Sequence, residues 1–337
     1  MRRTLLHLSI PFREPFVTAS GVVLSRDLLA IRIEDADGNV GHGEAAPFEP
    51  YDGTTLDQVT EALLTGLPAG SPPQARAGEE LARLDLAARR EGRAVGAPGA
   101  ETIAVNRTLP AGPPAEVAAR ALDGVRAGFS CFKLKVGLPD DAERVAAVRA
   151  AIGPWPALRI DANGAWEAEE AISTLSELRR YDIELAEQPC RTLEELARVR
   201  REVDVPICAD EPIQTADDVK LAAGAQACDV VNVKLASSGG LSGAREALRA
   251  ARAEGLGAFV SSTLDGPWGI AAALQLAASE RISLACGLAT LELFDSPIAR
   301  VLGTPKNGLL AVPEGPGLGV EVPPEALAEV LVEEVAN

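Results

Sequence analysis

From residue 101 onward the chain alternates short apolar runs with amphipathic stretches, and this alternation restricts the fold more than any other feature. Apolar runs of strand length lie at 103–106, 131–136, 158–161, 183–187, 206–209, 230–234, 258–261 and 284–287. Helical periodicity fills most of the intervals, at 141–152, 168–181, 193–203, 242–254 and 269–279. Strands that read as continuous apolar runs are buried on both faces, as in a parallel sheet covered by its own crossover helices. Eight such units predict an α/β chain closed into a (β/α) barrel. A doubly wound open sheet is the alternative, since spacing alone does not close a barrel.

Residues 1–100 do not follow this rhythm. Residues 28–34 (LLAIRIE) read as a strand and Asp37-Gly38-Asn39 as a turn. Residues 55–92 are largely helical in pattern, interrupted by a Pro/Gly-rich stretch at 66–78, and 92–100 (GRAVGAPGA) reads as a linker. A smaller α+β capping domain over 1–100 is expected, then the barrel over 101–300. The Gly/Pro-rich tail, 301–337, is expected to pack back on the cap. Gly41-His42-Gly43-Glu44-Ala45-Ala46 matches a dinucleotide-binding spacing, but Pro47 follows where a helix would have to open. Nucleotide binding there is disfavoured.

Composition narrows the partners. Hydrophobic residues make up 47% of the chain and charged residues 24%, the balance of a globular protein with a large core. The net charge of −17 repels phosphate backbones and anionic lipid, so neither nucleic acid nor a membrane surface is expected as partner. No apolar run reaches the ~18 residues of a membrane span, and no signal peptide is read at the start. Five scattered cysteines without a CxxC pair predict reduced thiols in a cytoplasm.

Only two histidines occur, His7 and His42, and only five lysines against 27 arginines. A chain that so prefers arginine keeps lysine where arginine cannot serve, and only lysine readily releases its proton. Lys133 and Lys135 close the second candidate strand, and Lys234 closes the sixth. Asp161 with Asn163, Glu187, and Asp210 with Glu211 stand at the ends of strands three, four and five. The steps from Asp161 to Glu187, Asp210 and Lys234 are 26, 23 and 24 residues, each about one strand–helix repeat. Such residues reach the same end of neighbouring strands, where barrel active sites lie. Three carboxylates brought to one point repel unless a hard cation joins them, and Mg²⁺ or Mn²⁺ suits an all-oxygen set. Read one at a time, each acid is equally well a salt-bridge partner or a helix cap; the shared spacing favours the site. Lys133 and Lys135 point to one side of their strand. Crowding, burial and a nearby metal are expected to favour a neutral amine able to act as a base. Metal plus lysine suits removal of a proton beside a carboxylate, with a small-molecule carboxylate as substrate. A histidine base is excluded unless His42 reaches in from the cap.

The motifs FKLKVG (132–137), RIDANGAW (159–166), EQPC (187–190), ADEPI (209–213) and VNVKLASSGGL (231–241) resemble, in order and spacing, the enolase superfamily in its muconate-lactonizing subgroup. Within it, FVSSTLDGPWGIAAALQLAA (259–278) and ACGLATLEL (285–293) are similar to the o-succinylbenzoate synthase family of menaquinone biosynthesis. The resemblance implies syn dehydration of 2-succinyl-6-hydroxy-2,4-cyclohexadiene-1-carboxylate to 2-succinylbenzoate. It implies Lys135 as the base and the proton donor to the departing hydroxide, tuned by Lys133. Asp161, Glu187 and Asp210 are implied as Mg²⁺ ligands, Asn163 and Glu211 as their neighbours, and Lys234 as the cation on the opposite face of an enediolate. Cap loops at 18–21, with Ser20 and Gly21, and at 48–53 would close over the succinyl arm, facing Ser261, Ser262 and Thr263. Pro212 and Pro267-Trp268 depart from the pattern. Dipeptide epimerases of the subgroup carry an Asp-x-Asp pair at the last strand, where this chain reads Leu288-Ala289-Thr290-Leu291-Glu292. Racemisation of N-succinylamino acids is the alternative reaction, because Lys135 and Lys234 would serve it equally well. A binding barrel that performs no chemistry is the third reading.

Overall fold

The computed structural model describes residues 1–18 and 21–336. The chain begins β1 (Arg2–Thr18), β2 (Gly21–Glu34), β3 (Val40–Ala45), α1 (Glu49–Asp52), α2 (Leu56–Leu64) and α3 (Pro73–Arg90). It continues β4 (Thr102–Ala104), β5 (Arg107–Leu109), α4 (Pro114–Arg126), β6 (Cys131–Lys135), α5 (Asp141–Ile152), β7 (Ala157–Asp161), α6 (Ala168–Leu178) and β8 (Ile183–Glu187). Then come α7 (Leu193–Glu202), β9 (Ile207–Ala209), α8 (Ala216–Gly224), β10 (Val230–Lys234), α9 (Leu241–Ala253), β11 (Gly257–Ser261) and α10 (Pro267–Ser279). The last elements are β12 (Leu309–Ala311), α11 (Pro324–Val330) and β13 (Leu331–Ala336).

Strands β13, β1, β2 and β3 form an antiparallel sheet in that order, with Thr4 opposite Ala336 and Leu5 opposite Val335. The apolar run in β2 is explained by burial on both faces. Leu29, Ile31 and Ile33 pack with Leu5 against Val59, Leu63, Ala75, Ala82 and Leu86 of α2 and α3. Leu28 and Ala30 join Leu6, Leu8 and Ile10 in the larger core shared with the barrel. Each such aliphatic side chain contributes about 1.5–3 kcal/mol when removed from water. The glycine motif of β3 has a packing role: a Cβ at Gly41 would strike Ala82 O and Leu86 N, and one at Gly43 would strike Gly78 O and Ala82 N. Helix α3 crosses β3 backbone to backbone there.

The second sheet is parallel and runs β5-β6-β7-β8-β9-β10-β11. Bridges from Ser261 to Gly287 and from Val105 to Cys286 carry it round to its start, and the architecture is a (β/α) barrel with an N-terminal α+β sheet domain. Two candidate strands differ from expectation. Only the first half of the run at 103–106 is strand: β4 turns outward to pair with β12, and β5, which pairs with β6, begins only at Arg107. The run at 284–287 closes the barrel through those single bridges, so little of it is ladder. Helices α7 and α8 open with capping boxes, Thr192 with Glu195 and Thr215 with Asp218, which fix the turns leaving β8 and β9. Helix α10 is buried along nearly its whole length. The stretch at 92–100 accounts for part of that cover, because Gly96 N donates to Gln275 Oε1 at 2.7 Å and Gly99 lies against Ala278.

Candidate active site

Register delivers the acids and lysines together. Lys135 and Asp161 are Cα partners across β6 and β7, and Asp161 and Glu187 are partners across β7 and β8. Asp210 follows the last residue of β9, and Lys234 is the last residue of β10. Lys133 Nζ lies 2.6 Å from Glu187 Oε1 and 2.9 Å from Asp161 Oδ2. Lys135 Nζ lies 2.6 Å from Asp161 Oδ2 and 2.6 Å from Asn163 Oδ1. Lys234 Nζ pairs with Asp210 Oδ1. The cluster is deeply buried, with Asp161 at 1%, Glu187 at 0% and Asp210 at 3% exposure.

Ammonium groups alternate with these three carboxylates: Lys133 lies between Asp161 and Glu187, and Lys234 against Asp210. Among the described residues no three carboxylate, imidazole or thiol side chains are grouped as a metal would need them. Lys133 lies between two of these acids. Burial opposes its charge, but Asp161 and Glu187 outweigh burial and hold it above the ordinary lysine range. Asp161 is held below the carboxylate range, since Lys133 and Lys135 overcome the burial that would raise it. Glu187 is raised, chiefly by burial, with Lys133 opposing and Asp161 and Asp210 adding to it. Two buried oxygens, Glu187 Oε2 and Glu211 Oε2, have no hydrogen-bond partner, a cost that a cation relieves. By donor chemistry Asp161, Glu187 and Asp210 would suit a hard divalent ion, which would take the places the ammonium groups hold and draw together carboxylates that the lysines now separate.

Around this cluster the neighbours are ordered. Asn163, at φ 46, donates its backbone N–H to Asp161 Oδ1 at 3.0 Å and its Nδ2 to Glu211 Oε1 at 3.0 Å. Burial, with Asp210 and Asp161 close by, pushes the Glu211 carboxyl up to about 8. Ser261 lies inside the barrel: its Oγ donates to Asn232 Oδ1 at 2.7 Å, and Asn232 Nδ2 donates to Glu187 Oε1 at 3.0 Å. Ser262 pairs with Thr290 Oγ1 at 2.7 Å. Thr263 is tied to Asp265 at 3.2 Å, and its carbonyl accepts from Arg26 of the cap. Gly21 opens β2 opposite Thr18; Ser20 lies outside the described residues. Trp268 is buried and stacks on His42 at 5.7 Å, so His42 serves the junction of β3 and α10, and among the described residues no bond joins it to the acid cluster.

Three participants were not named individually from the sequence, although each lies in a segment marked there: Tyr51 in the cap loop at 48–53, Gln188 in EQPC (187–190) and Asn232 in VNVKLASSGGL (231–241). Tyr51, on α1, meets Lys234 Nζ through its hydroxyl at 2.8 Å. Gln188 Oε1 accepts from Asp210 N at 2.8 Å, positioning the turn after β9. Asn232 feeds Glu187 from β10. Asn232 carried a readable signal, a lone amide two residues before Lys234 in an apolar strand.

Residues 116–326 match the family model described as enolase C-terminal domain-like. The chain is 41% identical to the o-succinylbenzoate synthase of Thermobifida fusca over 71% of its own length and 74% of that protein. It is 31% identical to the L-Ala-D/L-Glu epimerase of Clostridium acetobutylicum over 94% of its length and 96% of that protein. Among solved structures, a dipeptide epimerase from Enterococcus faecalis complexed with Mg and the dipeptide L-Leu-L-Tyr superposes with TM-score 0.88 at 28% identity, covering 95% of this chain and 99% of that one.

Proposed function

The chain belongs to the enolase C-terminal domain-like family, and from that premise we propose that it is a lyase acting as an o-succinylbenzoate synthase. The proposed substrate is 2-succinyl-6-hydroxy-2,4-cyclohexadiene-1-carboxylate, which loses water to give 2-succinylbenzoate. The observation that carries the choice of reaction is the end of the barrel at 288–293. A dipeptide brings a free ammonium group that needs an acidic partner. The one acid in that segment, Glu292, is already paired with Arg107 at 3.0 Å, and Leu288 and Leu291 beside it are buried. The 41% identity to the T. fusca synthase supports the same reading.

In the proposed mechanism Asp161, Glu187 and Asp210 would hold Mg²⁺, with Mn²⁺ as a substitute. When bound, the ion supplies positive charge beside the ring carboxylate, so that charge arriving there on proton loss is stabilised. Lys135 takes the α-proton from the ring carbon that bears the carboxylate. Lys234 faces the ring from the other side as a fixed cation. The carbon–oxygen bond to the ring hydroxyl breaks, the departing hydroxide takes the proton from Lys135, and the ring becomes aromatic. Asn163 orients Lys135, and Lys133 holds Asp161 and Glu187 in place. Ser262, paired with Thr290, would line the wall against the succinyl arm.

A racemase or epimerase reading is favoured by the match to the C. acetobutylicum epimerase over nearly the full length of both chains and by the likeness to the E. faecalis dipeptide epimerase structure. Incubation of the protein and Mg²⁺ with the cyclohexadiene, followed by its absorbance, tests the lyase. Metal-dependent loss of the diene supports it. An inert diene alongside rapid α-deuterium exchange in N-succinylamino acids or dipeptides would reject it in favour of the isomerase.

A further inference from the structure

The acid–lysine cluster belongs to the barrel, yet one of its lysines is completed by the cap. Lys234 Nζ donates to the Tyr51 hydroxyl at 2.8 Å and lies 4.7 Å from the centre of that ring. Tyr51 sits on α1, one turn of helix too short to hold itself in place. It is braced from both sides. Asp52 Oδ2 accepts from Phe48 N at 3.1 Å and from Gln74 Nε2 of α3 at 2.8 Å. Tyr51 N donates to Phe48 O at 2.7 Å. Arg26 lies over the Phe48 ring at 4.9 Å and donates to Ala46 O at 2.9 Å and to Thr263 O of the barrel at 3.2 Å. A continuous set of contacts thus runs from the loop after β11, through Arg26 and Phe48, to Tyr51 and back to β10.

We propose that Tyr51 is a positioning residue for Lys234: its hydroxyl fixes the ammonium on the face opposite Lys135, so that this half of the site is assembled only when α1 is seated. The inference rests on the proposed reaction for its catalytic consequence, but the contact itself does not. A flexible lysine has several rotamers, and Asp210 alone supplies one anchor from below. A second anchor from the cap removes the freedom that would let the ammonium swing away from a bound ring.

Two measurements test this. The first is covalent acetylation of Lys234 by dilute acetic anhydride, read by peptide mass spectrometry in the wild type, Tyr51→Phe and Tyr51→Ala proteins. Lys234 is expected to label slowly in the wild type and several-fold faster in both variants, with Lys220 unchanged as an exposed control. Equal labelling in all three overturns the proposal, whatever reaction the protein performs. The second is steady-state dehydration. Tyr51→Phe is expected to lower kcat by roughly tenfold with KM within about twofold, the size of one lost hydrogen bond to a charged group. A raised KM with unchanged kcat would mean that Tyr51 grips substrate and does not position Lys234. A wild type that leaves the diene intact would reject the lyase reading while the labelling result still decides the role of Tyr51.

Discussion

Lys135 and Asp161 are register partners on adjacent parallel strands, and Lys135 Nζ lies 2.6 Å from Asp161 Oδ2. The proposed base is therefore held by a proposed metal ligand, and a divalent ion arriving at Asp161 competes directly with the ammonium for that oxygen. Lys135→Arg keeps the cation and its acid partner but removes a group that readily exchanges a proton. Turnover of the cyclohexadiene is expected to fall below about one hundredth of wild type, with Mg²⁺ affinity by calorimetry largely kept. Activity above that level would remove Lys135 from the role of base.

Glu187 is the most enclosed of the acids, with one oxygen shared between Lys133 and Asn232 and the other without a partner. Glu187→Gln keeps the shape and removes the charge. Loss of a direct ligand should cost at least the roughly tenfold in Mg²⁺ affinity that removing a supporting neighbour of a metal ligand costs. Calorimetric titration, with a thermal melt in chelator to show that the variant is folded, checks this. An unchanged affinity would take Glu187 out of the ligand set.

Glu44 gives a pH signature remote from the acid–lysine cluster. Its carboxylate caps α10 through Gly266 N at 2.6 Å and Gly269 N at 3.4 Å. Burial, with Asp265 adding, raises it from 4.5 to about 8. Between those values the native chain holds a proton that the unfolded chain has released. This contribution is complete below 4.5 and is lost as pH rises through about 8, at up to about 1.4 kcal/mol per pH unit. Asp265, also raised by burial, acts in the same direction. Denaturant midpoints across that range should decline more steeply in the wild type than in Glu44→Gln. Parallel curves would show that Glu44 titrates normally.

The barrel was legible because its strands and helices each follow a period of their own, and the cluster because scarce lysines and acids recur at that spacing. What could not be read depends on contacts between distant segments. Nothing local to 103–106 says that its first half pairs with 309–311. Nothing local to Tyr51 says that a single helical turn brings it to Lys234, since Arg26 and Asp52 brace that turn from elsewhere. Which ammonium meets which carboxylate was not legible for another reason. Spacing gives height on a strand, whereas pairing is decided by which charged neighbours share a buried space.

The glycines of β3 supply a last test, in which a motif that looks chemical is assigned to packing. Helix α3 passes so close to β3 that a methyl group at Gly43 would meet backbone atoms of Gly78 and Ala82. Backbone cannot rotate aside as a side chain would, so Gly43→Ala has to push α3 away from a sheet whose Leu29, Ile31 and Ile33 it covers. A loss of about 1–3 kcal/mol is expected, the usual cost of an added methyl group in a tight interior. It should appear as a lower urea midpoint with an unchanged slope. Gly38, with nothing within 4 Å of an added Cβ but φ at +82, is the control: Gly38→Ala tests backbone strain without a clash and should cost about 1 kcal/mol. If Gly43→Ala cost no more than that control, the close approach of α3 would not be the reason for the glycine.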